Sequence, residues 1–346
     1  MITIDGSSGE GGGQVLRTTL ALSVLTRQAV HITNIRAGRK KPGLRPQHLK
    51  SVDAAAAISK AEVEGAVLNS NQVLFKPKEI RSGRYKFDIG TAGSTSLVFQ
   101  TIYLPLAQSS SASSIIVTGG THVLWSPCFH YLQLQWLKYL REMGFDILLI
   151  LDQAGFYPQG NGRISTVVRR TATIHPLNIL HRGKLVRISG ISAVANLGID
   201  IAKRQKKRAL KRLINGAYNI DPSMIKIKLN RMPSRTKGTF IILLAEFENC
   251  QACYFSLGKK GKPAEQVAEE AVDQLESFIE TNATVDQYLA DQILLPMSVA
   301  KGNSEFITNQ VTQHLTTNAQ IIMNFLPCEI DILGDIGNQS VVRVKP

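Results

Sequence analysis

Apolar and polar positions follow one arrangement three times along this chain: a helix, a strand, a polar loop and a second helix. The first copy begins at Gly11, the second at Gly93 and the third at Asp286. Helical stretches show apolar residues every three or four positions, whereas the strands are short β-branched runs. Because a fixed order of elements recurs, we predict three related units that pack side by side.

Each copy has a predicted strand between two predicted helices. The strands cover 30–35, 114–121 and 305–308, and the helices that follow them cover 47–61, 129–143 and 318–325. The polar loops hold the candidate ligand groups of each copy, which are Arg36, Arg39, Lys40, Arg45 and Gln47; His122 and His130; and His314, Thr316, Thr317 and Asn318. We expect these loops to lie at one end of the packed units.

The copies are unevenly spaced, and the surplus indicates an insertion. About 80 residues separate the first two starts, but about 190 separate the second from the third. The extra segment is predicted to form strands and helices of its own, at 185–191, 198–218, 225–229, 239–247, 252–257 and 264–280. We therefore predict a large α+β domain of three repeated βα units over 1–182 and 283–346, with a smaller α+β domain over 183–282.

Charge is the main compositional signal. The net charge of +14 and the pI near 9.7 favour a polyanionic partner, although a solvated basic surface would look the same. Seven of the ten residues 203–212 are basic, on a helix with an apolar face. This run either contacts phosphates or is a solvated helix face, because it lacks the aromatic residues that bind bases.

Cysteine content and hydropathy bear on location. Four cysteines in 346 residues favour a reducing cytoplasm over a disulfide scaffold. Cys250 and Cys253 form a lone CxxC, which we interpret as strand packing. The apolar stretch 96–107 is too short to span a bilayer, so we expect a cytoplasmic protein with no membrane partner.

The loop 6–17 is rich in glycine and follows the apolar run 2–4. Glycines can adopt positive φ and bring the backbone close to a phosphate at a helix N-terminus. The loop completes neither a P-loop nor a dinucleotide fingerprint, so a tight structural turn is the alternative. Glu10 favours a ligand, because a carboxylate among phosphate-binding amides needs a divalent metal between it and the phosphate.

Five motifs in order resemble the RNA 3'-terminal phosphate cyclases. They are residues 4–17, 35–44, 155–158, 288–292 and 314–318, and the likeness covers nearly the whole chain, with the insert matching least. The resemblance implies an α+β fold with paired helices on a four-stranded sheet in each unit. It also implies a ligase that converts an RNA 3'-phosphate into a 2',3'-cyclic phosphate with ATP, through a histidine-AMP and an RNA-adenylate, and releases AMP and diphosphate.

The resemblance also implies roles for single residues. His314 is the expected nucleophile, since a neutral imidazole can attack the α-phosphate. The remaining assignments are ATP binding by Gln100, Tyr288, Leu289, Ala290, Asp291 and Gln292; binding of the RNA terminal phosphate by Arg17, Arg36, Arg39 and Gln47; and Mg²⁺ or Mn²⁺ binding by Glu10. The expected partners are ATP and an RNA with a 3'-terminal phosphate.

Two positions depart from the family pattern. Asn161 interrupts a glycine-rich run after 155–158, and His130 stands near a position where an acid is common.

A non-catalytic cyclase-like RNA-binding protein of ribosome assembly is the alternative function, but such relatives lack the histidine that this chain has as His314. A small-molecule transferase on a similar repeat fold would leave the basic surface and His314 unexplained.

Overall fold

Four mixed sheets of four strands each organise the fold in the computed structural model, which describes residues 1–346. Three of the sheets belong to the three repeats and one to the insert. The predicted fold class, α+β with repeated βα units, is confirmed. No helix is long and apolar enough to cross a membrane.

The first repeat has the strand order β1-β2-β4-β3, with β1 parallel to β2 and the other pairs antiparallel. Its elements are β1 Ile2–Asp5, α1 Gly13–Thr26, β2 Val30–Thr33, α2 Pro46–Ser59, β3 Glu62–Glu64 and β4 Val73–Lys76. Buried Leu16, Leu20 and Val24 line the core side of α1. The helix ends at Arg27, whose φ of 57° is left-handed.

The second repeat has the equivalent order β5-β6-β8-β7. Its elements are β5 Arg84–Asp88, α3 Thr95–Ala107, β6 Ser113–Gly119, α4 Phe129–Tyr131, α5 Leu137–Glu142, β7 Ile147–Gln153 and β8 Gly162–Val168. A π-helical turn, Leu132–Trp136, joins α4 to α5. The single helix predicted over 129–143 is therefore continuous but locally widened.

The insert interrupts the third repeat directly after its first strand, β9 Asn178–Ile179. Its own sheet has the order β11-β10-β12-β13. Its elements are β10 Leu185–Ala195, α6 Ile199–Asn215, β11 Ile225–Arg231, β12 Gly238–Phe247, β13 Gln251–Leu257 and α7 Ala264–Ile279. One face of the sheet packs on α6 and α7, and the other packs on Tyr131 and Phe156 of the second repeat.

The rest of the third repeat follows the insert. Its elements are α8 Gln287–Met297, β14 Ser304–Thr308, α9 Gln313–Met323, β15 Glu329–Ile332 and β16 Ser340–Lys345, and its strand order is β9-β14-β16-β15. The helix predicted over 318–325 begins five residues earlier, because Thr312 caps it by accepting a hydrogen bond from Leu315 N. His314, which the sequence places in a loop, thus lies in the first turn of α9.

A buried carboxylate, Asp286, holds the second and third repeats together. Its Oδ1 accepts hydrogen bonds from Tyr131 Oη at 2.8 Å and from Leu289 N at 2.9 Å, and its Oδ2 accepts one from Gln135 Nε2 at 2.7 Å. Burial raises the pKa of Asp286 to about 6. Gln135 also donates to Gln251 O of β13, at 3.0 Å, so the same cluster reaches the insert.

We predict that Tyr131→Phe lowers the free energy of unfolding by about 1–3 kcal/mol, because it removes one donor from a buried carboxylate. Urea denaturation at pH 7.5 measures the change. Tyr85→Phe is the matched control, since its hydroxyl donates to Arg81 O at the surface and its loss is expected to change stability by less than about 0.5 kcal/mol. Equal effects of the two substitutions would contradict a structural role for the Asp286 cluster.

Candidate active site

The starts of α1 and α9 meet because α1 packs against α9. The glycine-rich loop fits between them: Gly9 has a φ of 61°, and a Cβ there would lie 2.0 Å from Thr317 Oγ1 of α9. The same hydroxyl accepts a hydrogen bond from Glu10 N at 3.1 Å. A side chain at position 9 would therefore push the first repeat away from the third.

Glu10 lies at the centre of this junction, with only 4% of its side chain exposed. Its carboxylate accepts a hydrogen bond from Gln14 N at 3.3 Å in the first turn of α1. It also forms an ion pair with Arg39, and its Oε1 lies 3.8 Å from His314 Nδ1. One carboxylate thus contacts a helix N-terminus, a guanidinium and an imidazole.

The surroundings of the His314 imidazole favour its neutral form. Burial lowers its pKa below the ordinary 6.5, the nearby Arg17 and Arg39 lower it further, and only Glu10 acts in the opposite direction. The side chain is nevertheless 48% exposed, so a ligand can reach it. A neutral imidazole at an open position has the properties of a nucleophile.

Arg17 and His48 lie beside Gly13, at the start of α1. Arg17 Nη2 donates to Gln14 Oε1 at 2.8 Å, and burial lowers its pKa to about 10, which leaves it charged at neutral pH. His48 lies against Gly13, and burial together with four arginines lowers its pKa to about 3. Sequence reasoning missed His48; its place beside Gln47 in the basic loop of the first repeat is the signal that could have found it.

The predicted ATP-binding stretch forms a second group on α8. Gln100 Nε2 of α3 donates to Gln292 Oε1 at 2.7 Å, and Gln292 donates back to Tyr288 O. Tyr288 is half-exposed and packs edge-on against Tyr254 of the insert. Leu289 and Ala290 are fully buried core residues. The side chains that face outward on this part of α8 are those of Tyr288 and Gln292.

Asp291 connects this group to the Glu10 junction. Its carbonyl oxygen accepts a hydrogen bond from Asn318 Nδ2 at 2.6 Å, and Asn318 Oδ1 accepts one from Thr18 Oγ1 of α1 at 2.6 Å. Burial raises the pKa of the Asp291 carboxyl to about 7, and the charge of Arg17 opposes that rise. Helices α1, α8 and α9 are thereby hydrogen-bonded to one another around the site.

Arg36 and Gln47 do not join the other site residues by direct contact. Arg36 Nη1 donates to Lys41 O and Gly43 O, at 2.7 and 2.9 Å, and so braces its own loop. Gln47 Oε1 accepts a hydrogen bond from Ser94 N at 2.7 Å, at the start of α3. In this state of the chain Gln47 joins the first repeat to the second.

Glu10 offers one carboxylate to a hard cation, which would take most of its other ligands from substrate phosphates and water. Nowhere does the structure bring together three His, Cys, Asp or Glu side chains that could hold a metal ion. Mg²⁺ is commonly held by one or two carboxylates, water and substrate phosphates, and Glu10 supplies one such carboxylate. The Arg39 guanidinium, which now pairs with Glu10, would have to give up this contact.

The basic run 203–212 divides into two faces on α6. Arg204, Arg208 and Arg212 form ion pairs with acidic residues of α7, which are Glu265, Glu269, Asp273 and Glu276. Lys203, Lys207 and Lys211 point to solvent. Nearly half of the positive charge of this run is therefore compensated within the insert.

The two departures from the family pattern have clear local settings. Asn161 adopts a φ of 53°, a left-handed conformation that asparagine tolerates. His130 is buried, and its Nδ1 lies 2.8 Å from His122 Nε2. Burial lowers the pKa of both histidines, so they form a neutral hydrogen-bonded pair.

Comparison with known proteins identifies the family. A family profile described as RNA 3'-terminal phosphate cyclase (RTC) matches residues 8–332. The chain belongs to this family. A protein of Gloeothece citriformis named RNA 3'-terminal phosphate cyclase is 40% identical over 358 residues, covering 100% of this chain and 99% of that protein. Proteins with the same name from Pyrobaculum neutrophilum and Archaeoglobus fulgidus are 38% and 40% identical over 99% of this chain.

Among solved structures, the enolpyruvyl transferase NikO from Streptomyces tendae aligns with a TM-score of 0.28 and 10% identity, over 99% of this chain and 81% of that one. This likeness is too low to bear on fold or function. Family membership rests on the family profile and on the sequence relatives.

For this member of the cyclase family, we predict that Asp291→Asn stabilises the fold more at pH 8 than at pH 5. Folding raises the pKa of Asp291 from an ordinary 3.8 to about 7. Between pH 3.8 and pH 7 the Asp291 carboxyl is mostly ionised in the unfolded chain and mostly protonated in the folded chain. The contribution of Asp291 to the free energy of unfolding therefore falls as pH rises. From pH 5 to pH 8, the free energy of unfolding of Asp291→Asn relative to the parent is expected to rise by roughly 1–3 kcal/mol, since one pKa unit corresponds to about 1.4 kcal/mol. Chemical denaturation at both pH values measures it, and an advantage independent of pH would contradict the raised pKa.

Proposed function

We propose that this chain converts the 3'-terminal phosphate of RNA into a 2',3'-cyclic phosphate with ATP, through a covalent AMP on His314. One observation carries the proposal: a neutral, reachable imidazole lies among Glu10, Arg17 and Arg39, where two helix N-termini meet. A nucleophile among phosphate-binding groups suits nucleotidyl transfer. The family and its named relatives support the cyclase reaction.

The reaction proceeds in three displacements at phosphorus. An imidazole nitrogen of His314 attacks the α-phosphorus of ATP, a P–N bond forms, and the bond to the β-phosphate oxygen breaks, releasing diphosphate. An oxygen of the RNA 3'-phosphate then attacks the same phosphorus and breaks the P–N bond. Finally, the adjacent 2'-hydroxyl attacks the RNA phosphorus, loses its proton and displaces AMP in a five-membered ring closure that proximity favours. The products are the cyclic phosphate, AMP and diphosphate, and the enzyme is a ligase.

The residues divide this work by position. The Arg17 and Arg39 guanidinium groups bind oxygens of the phosphates, with Arg36 and Gln47 at the edge of the same basic loop. Gln100, Tyr288, Asp291 and Gln292 hold the adenosine, with Leu289 and Ala290 fixing the helix behind them. Glu10 would bind Mg²⁺ or Mn²⁺, which when bound neutralises charge on the departing diphosphate. We place the reaction in the cytoplasm, which suits four unpaired cysteines.

We predict that α-labelled ATP and a divalent metal, without RNA, label the protein through an acid-labile, alkali-stable bond, as is typical of phosphoramidates. His314→Ala is expected to abolish the label. His181→Ala is the control, because this histidine is exposed and lies outside the site. Label on a lysine, or label that persists in His314→Ala, would refute the nucleophile. A folded parent that takes no label but binds RNA would favour the non-catalytic cyclase-like alternative.

We further predict that Glu10→Gln slows self-labelling by roughly 100-fold or more at low Mg²⁺ or Mn²⁺, because the charge that the metal stabilises is worth several kcal/mol. Raising the metal concentration should recover part of the rate. Arg39→Ala is the contrasting variant: it should weaken RNA binding, because a phosphate contact is lost, and it should lower the metal concentration needed, because Glu10 loses the ion pair that competes with the metal. Superimposable metal titrations of Glu10→Gln and the parent would refute a metal on Glu10.

A further inference from the structure

Two aromatic side chains of the second repeat are exposed on neighbouring loops. Trp125 is 96% exposed and Tyr157 is 78% exposed. The loops are joined where Thr121 N and His122 N both donate to Gly155 O, at 2.9 and 3.1 Å. No packing within the chain accounts for two large rings in solvent, and such exposure marks interaction surfaces.

Both loops are anchored in the core rather than free at the surface. His122 is buried, hydrogen-bonded to His130 and stacked on Phe156 with ring centroids 5.2 Å apart. Phe156 directly precedes Tyr157, and His122 lies three residues before Trp125. The base of each loop is therefore fixed, so ligand contact with the two rings carries a small ordering cost.

The insert places positive charge beside these rings. Its loop 232–237 is bound to the Tyr157 loop, because Ser234 Oγ donates to Ala154 O at 2.8 Å and Phe156 N donates to Thr236 Oγ1 at 3.0 Å. Arg235 and Lys237 on this loop are exposed. Residues 119–131, 154–163 and 231–239 contain no Asp or Glu, so these loops offer no carboxylate to pair with the cations.

A row of close contacts leads from this surface to the Glu10 junction. A Cβ at Gly160 would lie 2.8 Å from Ala92 Cα, so the Tyr157 loop lies against the start of α3. Gln47 binds Ser94 N at that helix start, and its neighbour His48 lies against Gly13. The aromatic surface and the His314 site are thus on connected loops at the helix starts of successive repeats.

We propose that Trp125, Tyr157, Arg235 and Lys237 bind unpaired nucleotides of the RNA chain that precede its terminal phosphate. The rings stack on bases, and the two cations contact the backbone phosphates between them. Stacking on exposed aromatics beside cations is how proteins hold single-stranded nucleic acid with little sequence preference. This inference rests on the proposed function, since it extends the RNA site of that reaction.

The two tryptophans of the chain allow a direct test. Trp136 is fully buried in the core, whereas Trp125 is at the proposed surface, so RNA that stacks on Trp125 quenches its fluorescence selectively. The probe is an RNA oligomer with an unpaired 3' end and a 3'-phosphate, added without ATP so that no reaction occurs. Quenching is expected with this oligomer and much less with a blunt duplex of the same sequence. Trp125→Phe should remove the signal and keep the affinity.

The variants separate stacking from charge. Trp125→Ala combined with Tyr157→Ala is expected to weaken RNA binding by about 10-fold or more. Arg235→Gln combined with Lys237→Gln should weaken it and make the negative slope of log affinity against log salt shallower by about 1.4, at about 0.7 per lost contact to a single strand. Lys76→Gln combined with Lys86→Gln removes the same charge from exposed strand positions elsewhere and should change the slope far less.

The outcomes distinguish this inference from the proposed function. RNA that binds without quenching Trp125, or that binds the alanine variants as tightly as the parent, overturns the inference even if ATP still labels His314. Quenching by single-stranded RNA in a protein that ATP does not label supports the surface and refutes the reaction. Equal quenching by the blunt duplex also overturns the inference, because a blunt duplex exposes base faces only at its two end pairs.

Discussion

The fold depends on one carboxylate that is buried without a positive partner. Asp286 is held only by neutral donors from Tyr131, Gln135 and the first turn of α8, and it lies where the second repeat, the insert and the third repeat meet. An ionised group in such a place is stable only while every donor stays in position. The packing around Asp286 therefore sets the orientation of α8, and with it the positions of Tyr288, Asp291 and Gln292. Asp286 itself lies more than 20 residues before His314 in the sequence.

The buried ionisable groups of the site lower the stability of the fold. Arg17, His48, Asp291 and His314 all have pKa values shifted by burial towards the neutral form, and none of them has an ion pair that fully compensates the burial. Glu10 forms an ion pair with Arg39 and lies among several cations. Such an arrangement costs folding free energy and leaves groups ready to bind the charges of a phosphate ligand.

Periodicity and the recurring order of elements were enough to predict the repeats and the elements of the insert. The same patterns could not predict which side chains contact one another between repeats. Gln47 looks like a phosphate ligand in the sequence, yet it binds Ser94 N, and the arginines of 203–212 pair with α7. Asp286 carries no local signal, because burial of a polar group depends on residues far away in the sequence.

The position of the insert has a consequence for the order in which the chain can fold. The strand β9 is made before the insert, yet its partner β14 follows it by more than 120 residues, and the pairing covers only two residues of β9. Closing so long a loop for so few contacts is entropically unfavourable until the insert has itself become compact. During synthesis the first two repeats can pack early, whereas α9 leaves the ribosome only after the insert. The His314 imidazole therefore reaches Glu10 late, after the first two repeats and the insert have been made.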